Sequence, residues 1–159
     1  MDLALVQARA ALERGEFPVG CVLVHEGQVV ATGSRSHTRG RVSELDHAEI
    51  LALRALQELE SAIDPAELTV YATMEPCLMC FATLILNGIR RIVYGYEDVM
   101  GGGTHLELDR LNPLYAAMTI EVVPHVRREE SLALFQQFFA DPAQSYWPDS
   151  LLARYTLAQ

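Results

Sequence analysis

The sequence predicts an α/β fold with a mixed five-stranded sheet and helices on both faces. Short β-rich segments alternate with helical ones in the order α-β-β-α-β-α-β-α-β-α. Glu26-Gly27 between the first two strands is typical of a hairpin turn, so these strands should be antiparallel. Helices separate the later strands, which predicts parallel pairing through right-handed crossovers.

Apolar periodicity and helix-breaking residues define the elements of the first half. Gly15 ends the first helix, and the Ala, Leu and Glu content of the next helical segment favours a helix strongly. The expected elements are a helix at 2–14, strands at 19–25 and 28–33, a polar loop at 34–46 and a helix at 47–60.

The second half continues the alternation without a repeat or a linker, so we expect a single domain over 1–159. Asn87-Gly88 is a typical helix end, and Pro124 stops the last strand. The expected elements are strands at 68–73, 90–95 and 119–123, helices at 77–87 and 127–139, and a short helix within 96–118.

The composition excludes some mechanisms. All twelve basic residues are Arg, and the absence of Lys excludes Schiff-base and Walker-lysine chemistry. The net charge of −9 would repel a polyanion unless Arg residues cluster locally, which favours small neutral substrates. With neither a signal peptide nor a membrane-length apolar run recognisable, we expect a cytoplasmic protein with no membrane partner.

Three cysteines in such a chain argue against a disulfide framework. Cys21 lies in an apolar strand and is expected to be a buried, inert thiol. Cys77 and Cys80 form a C-x-x-C pair, which indicates either metal binding or a thioredoxin-like redox pair.

Two segments carry the chemistry: Asp46-His47-Ala48-Glu49, and Glu75-Pro76 followed by the C-x-x-C pair. Each lies at a predicted helix start, where the helix dipole favours thiolates. Two cysteines and one histidine leave one of zinc's four positions open, as in catalytic sites. Glu49 can reach that position and transfer protons. H-x-E followed by P-C-x-x-C is the signature of zinc deaminases.

With these motifs the chain resembles the cytidine deaminase superfamily, on the branch of cytosine deaminases and tRNA adenosine deaminases. The resemblance runs from Phe17-Pro18-Val19-Gly20 to the C-terminal aromatic segment. It implies a three-layer α/β/α sandwich, a homodimer and one Zn²⁺ per chain, held by His47, Cys77 and Cys80. It also implies that Glu49 is the proton shuttle of a reaction that releases ammonia.

The resemblance implies substrate contacts as well. The Glu75 carbonyl would accept a hydrogen bond from the leaving amine, and the N–H groups of Ala48 and Cys77 would face the substrate. Ser36 stands where many relatives carry an Asn that contacts base or ribose. Asp46 stands where a small or apolar residue is usual. Base recognition and helix capping, the latter paired with Glu49, are both open for Asp46.

Tyr146-Trp147-Pro148-Asp149 resembles the closing segment of fungal-type cytosine deaminases, in which an aromatic ring covers the base and an acid binds its amino group. Simple packing of a C-terminal helix is the alternative. Three arginines of the polar loop are expected to be solvated, with phosphate contacts as the alternative: Arg35, Arg39 and Arg41.

We therefore predict a zinc-dependent hydrolytic deaminase of a free nucleobase or small nucleoside. The alternative is a tRNA-specific adenosine deaminase that forms inosine, because residues 87–139 resemble those enzymes. That alternative requires a basic groove, yet Arg154 is the only positive charge after Phe139. A non-catalytic zinc module is a third possibility.

Overall fold

The computed structural model describes residues 1–59 and 62–159. The elements follow the predicted order, with one further helix in the C-terminal tail. The strands are β1 (Gly20–His25), β2 (Gln28–Ser34), β3 (Thr69–Met74), β4 (Arg91–Tyr96) and β5 (Glu121–Val123). The helices are α1 (Asp2–Glu13), α2 (Ala48–Glu58), α3 (Leu78–Leu86), α4 (Pro113–Ala116), α5 (Arg128–Ala140) and α6 (Leu151–Leu157). The predicted end of the second helix, at residue 60, lies outside the described residues.

The five strands form one mixed sheet in the order β2-β1-β3-β4-β5. Strand β1 runs antiparallel to both β2 and β3, whereas β3, β4 and β5 run parallel to one another. Positive φ angles at Glu26 and Gly27, 48° and 78°, form the turn of the β1–β2 hairpin. The predicted hairpin, parallel crossovers and mixed sheet are therefore confirmed.

Two glycines bring a helix close to each face of the sheet. Gly20 pairs with Ser34, one position beyond Gly33, so Gly20 and Gly33 lie on opposite faces. A Cβ atom on Gly20 would lie 2.1 Å from the Ala4 carbonyl oxygen in α1. A Cβ atom on Gly33 would lie 1.9 Å from the Ala48 carbonyl oxygen in α2. Helix α5 packs with α1, and α3 packs with α2, which confirms the three-layer sandwich.

An aromatic cluster ties the C-terminal segment to the core. The Phe17 ring lies 5.1 Å from the Phe135 ring and 5.2 Å from the Phe138 ring. Tyr146, in the segment between α5 and α6, packs 5.4 Å from the same Phe17 ring. The predicted burial of Cys21 is confirmed, and burial raises the pKa of its thiol.

The parallel strands β3 and β4 direct the chain toward one edge of the sheet, where the loops after them meet. The Glu75 N–H donates to the Tyr96 carbonyl at 2.7 Å, and the Gly103 N–H donates to the Pro76 carbonyl at 2.9 Å. Ligand sites in α/β sheets form at this carboxyl edge. Among the helices of the described residues, none has both the length and the apolar character needed to cross a membrane.

Candidate active site

Two helix starts bring three metal-binding side chains together. His47 and Cys77 are the N-cap residues of α2 and α3, and Cys80 lies in the first turn of α3. His47 Nδ1 lies 3.6 Å from Cys77 Sγ and 3.4 Å from Cys80 Sγ. The three ligand atoms lie within 4.8 Å of one another, the one such group among residues 1–59 and 62–159.

These distances fit zinc. Zn–S and Zn–N bonds at a tetrahedral angle place sulfur and nitrogen about 3.6 Å apart. Two thiols and an imidazole are also a ligand set that zinc prefers, and three protein ligands leave a fourth position for a reactant. His47, Cys77 and Cys80 are therefore positioned to bind one Zn²⁺, as predicted.

The thiols differ in their acidity. A hydrogen bond with Cys80 lowers the pKa of Cys77 to about 4, whereas the same contact raises the pKa of Cys80. Burial opposes protonation of His47, but the hydrogen bond with Cys77 and the charge of Glu49 outweigh burial and raise its pKa. The lowered pKa favours the thiolate form of Cys77, which is the form that binds metal.

Glu49 is a buried carboxylate in the first turn of α2. Its Oε2 atom lies 3.5 Å from Cys80 Sγ, and burial raises its pKa. A raised pKa suits a group that must both accept and return a proton near neutral pH.

The capping interpretation of Asp46 and Glu49 is wrong. The N-cap residue of α2 is His47, and its side chain makes no capping hydrogen bond. The Asp46 carboxylate instead lies 2.9 Å from His37 Nδ1 and 3.7 Å from an Arg54 nitrogen. With His37 it lines a surface groove.

A cavity opens beside the metal ligands and brings several predicted site residues together. Alongside His47 and Cys77, its lining includes five of the residues predicted to act in catalysis or substrate binding: Ala48, Glu49, Glu75, Tyr146 and Trp147. The lining also includes residues outside the predicted catalytic and substrate-binding set: Phe17, Val19, Arg35, Met74, Asp98, Gly101 and Leu152.

Three predicted substrate contacts lie outside this cavity: Ser36, Asp46 and Asp149. The Ser36 hydroxyl lies 3.3 Å from His37 Nδ1. Asp149 is exposed and lines a separate surface groove with Pro148 and Arg154. Positive φ angles at Trp147 and Asp149, 52° and 58°, turn the chain so that Trp147 faces the cavity and Asp149 does not.

Tyr146 and Trp147 form a stacked wall of the cavity. Their ring centroids lie 5.0 Å apart, with 9° between the ring planes. Tyr146 is buried, whereas Trp147 is 40% exposed and therefore reaches the cavity mouth. The C-terminal segment thus closes one side of the site.

The expectation that Arg35 is solvated is wrong. Its side chain is 2% exposed, and it donates hydrogen bonds to the carbonyls of Ser36, Ser43 and Asp46. It also donates to the Glu44 carboxylate and to the Tyr146 hydroxyl. Four of these partners lie within 11 positions of Arg35 in a loop without regular structure, and Tyr146 is 111 positions away, so no periodic pattern in the sequence signals its burial. Arg39 and Arg41 are exposed, as expected.

The Gly101-Gly102-Gly103 run packs against the start of α3. A Cβ atom on Gly103 would lie 2.6 Å from the Leu78 Cα atom, and one on Gly102 would lie 2.5 Å from the Glu75 carboxyl carbon. The Glu75 carboxylate accepts hydrogen bonds from the Asp98 and Thr104 N–H groups. This contact anchors the glycine loop at the edge of the cavity.

The sandwich fold, the open N/S₂ metal site and the adjoining buried carboxylate define a zinc-dependent hydrolytic deaminase. Residues 1–96 match the model of the family described as the cytidine and deoxycytidylate deaminase zinc-binding region. The chain belongs to this family.

Similar proteins include two tRNA-specific adenosine deaminases. That of Agrobacterium fabrum (strain C58 / ATCC 33970) is 36% identical over 144 residues, which cover 89% of this chain and 92% of that protein. That of Bacillus subtilis (strain 168) is 33% identical over 149 residues, which cover 89% and 87%.

Solved structures share the fold. One, from a study of A-to-I editing by tRNA:A34 deaminases at the wobble position of transfer RNA, has a TM-score of 0.70 and 36% identity. The match covers 84% of this chain and 96% of that one. A structure of guanine deaminase from Nitrosomonas europaea has a TM-score of 0.67 and 22% identity, over 86% and 81% of the two chains. At that identity the likeness shows a common fold alone.

Proposed function

We propose that this chain is a tRNA-specific adenosine deaminase that converts adenosine to inosine and releases ammonia. The observation that carries the proposal is the 36% identity to a tRNA-specific adenosine deaminase over 89% of this chain and 92% of the relative. The free nucleobase or nucleoside, which the sequence alone favoured, has weaker support, because the guanine deaminase likeness is at 22% identity.

The side chains at the site fit the chemistry of hydrolytic deamination. Zinc held by His47, Cys77 and Cys80 would activate a water molecule at neutral pH. In our proposal Glu49 accepts a proton from the attacking water and passes it to the ring nitrogen. Glu49 then takes the remaining proton of the oxygen that has bonded to the amino-bearing carbon and gives it to the amino group, so that the C–N bond breaks and ammonia departs. Its buried position beside Cys80 supports this role.

Backbone groups at the helix starts would orient the base. Ala48 and Glu75 line the cavity beside the metal ligands. We assign the Ala48 N–H to the substrate and the Glu75 carbonyl to the departing amine. Trp147, at the cavity mouth, would stack on the base or on a neighbouring nucleotide.

The net charge of −9 requires a local cationic surface for RNA. The loop that leads to His47 offers exposed Arg39 and Arg41, together with exposed His37. We propose that this loop contacts the phosphates that flank the target adenosine. The phosphate alternative predicted for these arginines is therefore retained for Arg39 and Arg41 but not for buried Arg35.

We also propose a homodimer. Leu78, Leu86 and Met100 are large apolar side chains on α3 and the neighbouring loop, exposed by 55%, 51% and 39%. In the proposed dimer these side chains would supply apolar area to the interface. The single domain over 1–159 and the cytoplasmic location stay predictions.

An inosine assay tests the proposal. Zinc-loaded protein is incubated with an anticodon stem-loop that carries one loop adenosine, and inosine is measured by mass spectrometry. Ammonia release from adenine, cytosine, guanine and their nucleosides is measured in parallel, with E49Q as the control for contaminating deaminases. We expect inosine in the RNA and little ammonia from the free compounds. Ammonia release from a free base without inosine in the RNA would support the nucleobase interpretation. If neither inosine nor ammonia forms, the result would support the non-catalytic zinc module.

A further inference from the structure

We propose that Glu44 is a positioning residue that fixes the zinc-binding histidine and links its orientation to the closing segment of the cavity through Tyr146. The carboxylate accepts contacts from three directions: from His47, from Arg35 and from Tyr146. This inference depends on the metal site but not on the identity of the substrate.

The orientation of the His47 ring requires a partner behind it. Nδ1 faces the two sulfur atoms, so Nε2 must carry the proton when Nδ1 binds metal. Glu44 Oε2 lies 3.3 Å from His47 Nε2 and can accept that proton's hydrogen bond. A carboxylate in this position fixes both the tautomer and the ring orientation, and raises the basicity of the ligand.

Two donors hold Glu44 in place. Its side chain is 50% exposed and lies in a loop, so it would otherwise lose little by turning into solvent. Arg35 donates to Oε2 at 3.0 Å, and the Tyr146 hydroxyl donates to the same oxygen at 3.0 Å. Arg35 is itself fixed by the carbonyls of Ser43 and Asp46, at 2.9 and 3.0 Å. The carboxylate therefore faces an anchored cation.

Tyr146 connects this arrangement to the closing segment. Its hydroxyl contacts Glu44 across 102 positions of sequence, while its ring stacks on Trp147 at the cavity mouth. Arg35 also donates to the Tyr146 hydroxyl at 3.2 Å, so the three side chains form a closed set. Displacement of the closing segment would remove one of the two donors that hold Glu44 against His47. Closure of the cavity and orientation of the metal ligand are coupled through one carboxylate.

Zinc affinity tests the proposal without any substrate. The zinc dissociation constant is measured by competition with a chelating dye for the parent, E44A, E44Q, Y146F and the E44A/Y146F double variant. We expect E44A to weaken zinc binding by about 10- to 100-fold, E44Q to weaken it less, and Y146F to weaken it by several-fold. Because Tyr146 acts through Glu44, Y146F should cause no further loss in the E44A background.

Matched controls separate positioning from general damage. E13Q removes an exposed carboxylate from α1, and Y71F removes a tyrosine hydroxyl from the middle of β3; both should bind zinc like the parent. Circular dichroism of the chelated proteins checks folding. If E44A does not fold, the zinc affinity of E44Q tests the proposal.

Two results would overturn the proposal. The first is a zinc dissociation constant within about two-fold of the parent's for E44Q and, if it folds, for E44A, because such a change is well short of the expected loss. The other is a Y146F substitution that weakens zinc binding by the same factor in the parent and in the E44A background. Absence of inosine formation alongside the expected affinity pattern would count against the proposed function alone.

Discussion

The Glu49 carboxylate lies 3.5 Å from the Cys80 sulfur, although 31 positions separate the two residues in the sequence. Helix α2 carries the carboxylate, α3 carries the thiol, and the two helices pack side by side on one face of the sheet. The contact places a proton acceptor beside the metal ligands without making it a ligand. A carboxylate in this position can exchange protons with the reactant that occupies the remaining metal position.

Glu49→Gln should abolish turnover while zinc stays bound. The amide keeps the size of the side chain but cannot accept and return a proton, and positioned acid–base groups contribute about 10²- to 10⁴-fold to rate. Single-turnover inosine formation and zinc content are measured on the same sample. A variant that retains most of its rate would remove Glu49 from the mechanism.

Trp147→Ala should raise KM for RNA and change kcat little. The ring lines the cavity mouth and stacks on Tyr146 rather than contacting the metal ligands. Stacking of a base on an aromatic side chain contributes about 1 to 3 kcal/mol. Steady-state kinetics with W147F as the conservative control tests this. An unchanged KM in W147A would show that the ring does not contact the substrate.

Gly33→Ala should both destabilise the protein and weaken zinc binding. The added Cβ atom would lie 1.9 Å from the Ala48 carbonyl oxygen, so α2 must move and must take His47 with it. Overpacking of this kind costs about 1 to 3 kcal/mol. Urea unfolding and chelator competition measure the two effects. The exposed neighbour variant T32A should stay within about 0.5 kcal/mol of the parent, and a G33A variant that matches T32A would contradict the close packing.

Glu97 should make stability depend on acid pH. Burial of its carboxyl favours the neutral form, but hydrogen bonds from Arg128 and Tyr155 outweigh burial and lower its pKa to about 2. Because the pKa is lower in the folded state, the charged form stabilises the protein above the unfolded-state pKa of about 4.3. That contribution is lost as the pH falls from about 4.5 to 2.

The variant E97Q tests this dependence. At pH 7 we expect its free energy of unfolding to be about 1.5 to 3 kcal/mol below that of the parent, with the difference shrinking below pH 4. Urea unfolding across that range gives the comparison. E107Q, which alters an exposed pair with Arg110, should change stability by less than about 1 kcal/mol at any pH. A difference in the free energy of unfolding between E97Q and the parent that stays constant with pH would contradict the lowered pKa of Glu97.

Local spacing made the metal site predictable from sequence. Cys77 and Cys80 are one helical turn apart, and Glu49 follows His47 by two positions at a helix start, so each half of the site is encoded locally. The hairpin and the crossovers followed from turn residues and from the helices between strands. These features bring the two halves of the site together at one edge of the sheet.

Contacts and backbone conformations that no sequence pattern encodes explain what the sequence did not reveal. The burial of Arg35 depends on Tyr146, 111 positions away, and no local pattern encodes that contact. Asp46 and Asp149 adjoin cavity residues in sequence, yet the first contacts His37 and Arg54 outside the cavity and a positive φ turns the second away. A residue's place beside a site in sequence therefore did not determine where its side chain points.

The zinc content of purified protein tests the central claim most directly. Elemental analysis is compared for the parent, E49Q, H47A, C77S and C80S, all purified without added metal. The account predicts about one zinc per chain in the parent and in E49Q, because zinc's three protein ligands are intact in both, and a large loss in each of the other three. A parent without bound zinc, or ligand variants that keep the parent's zinc content, would contradict it.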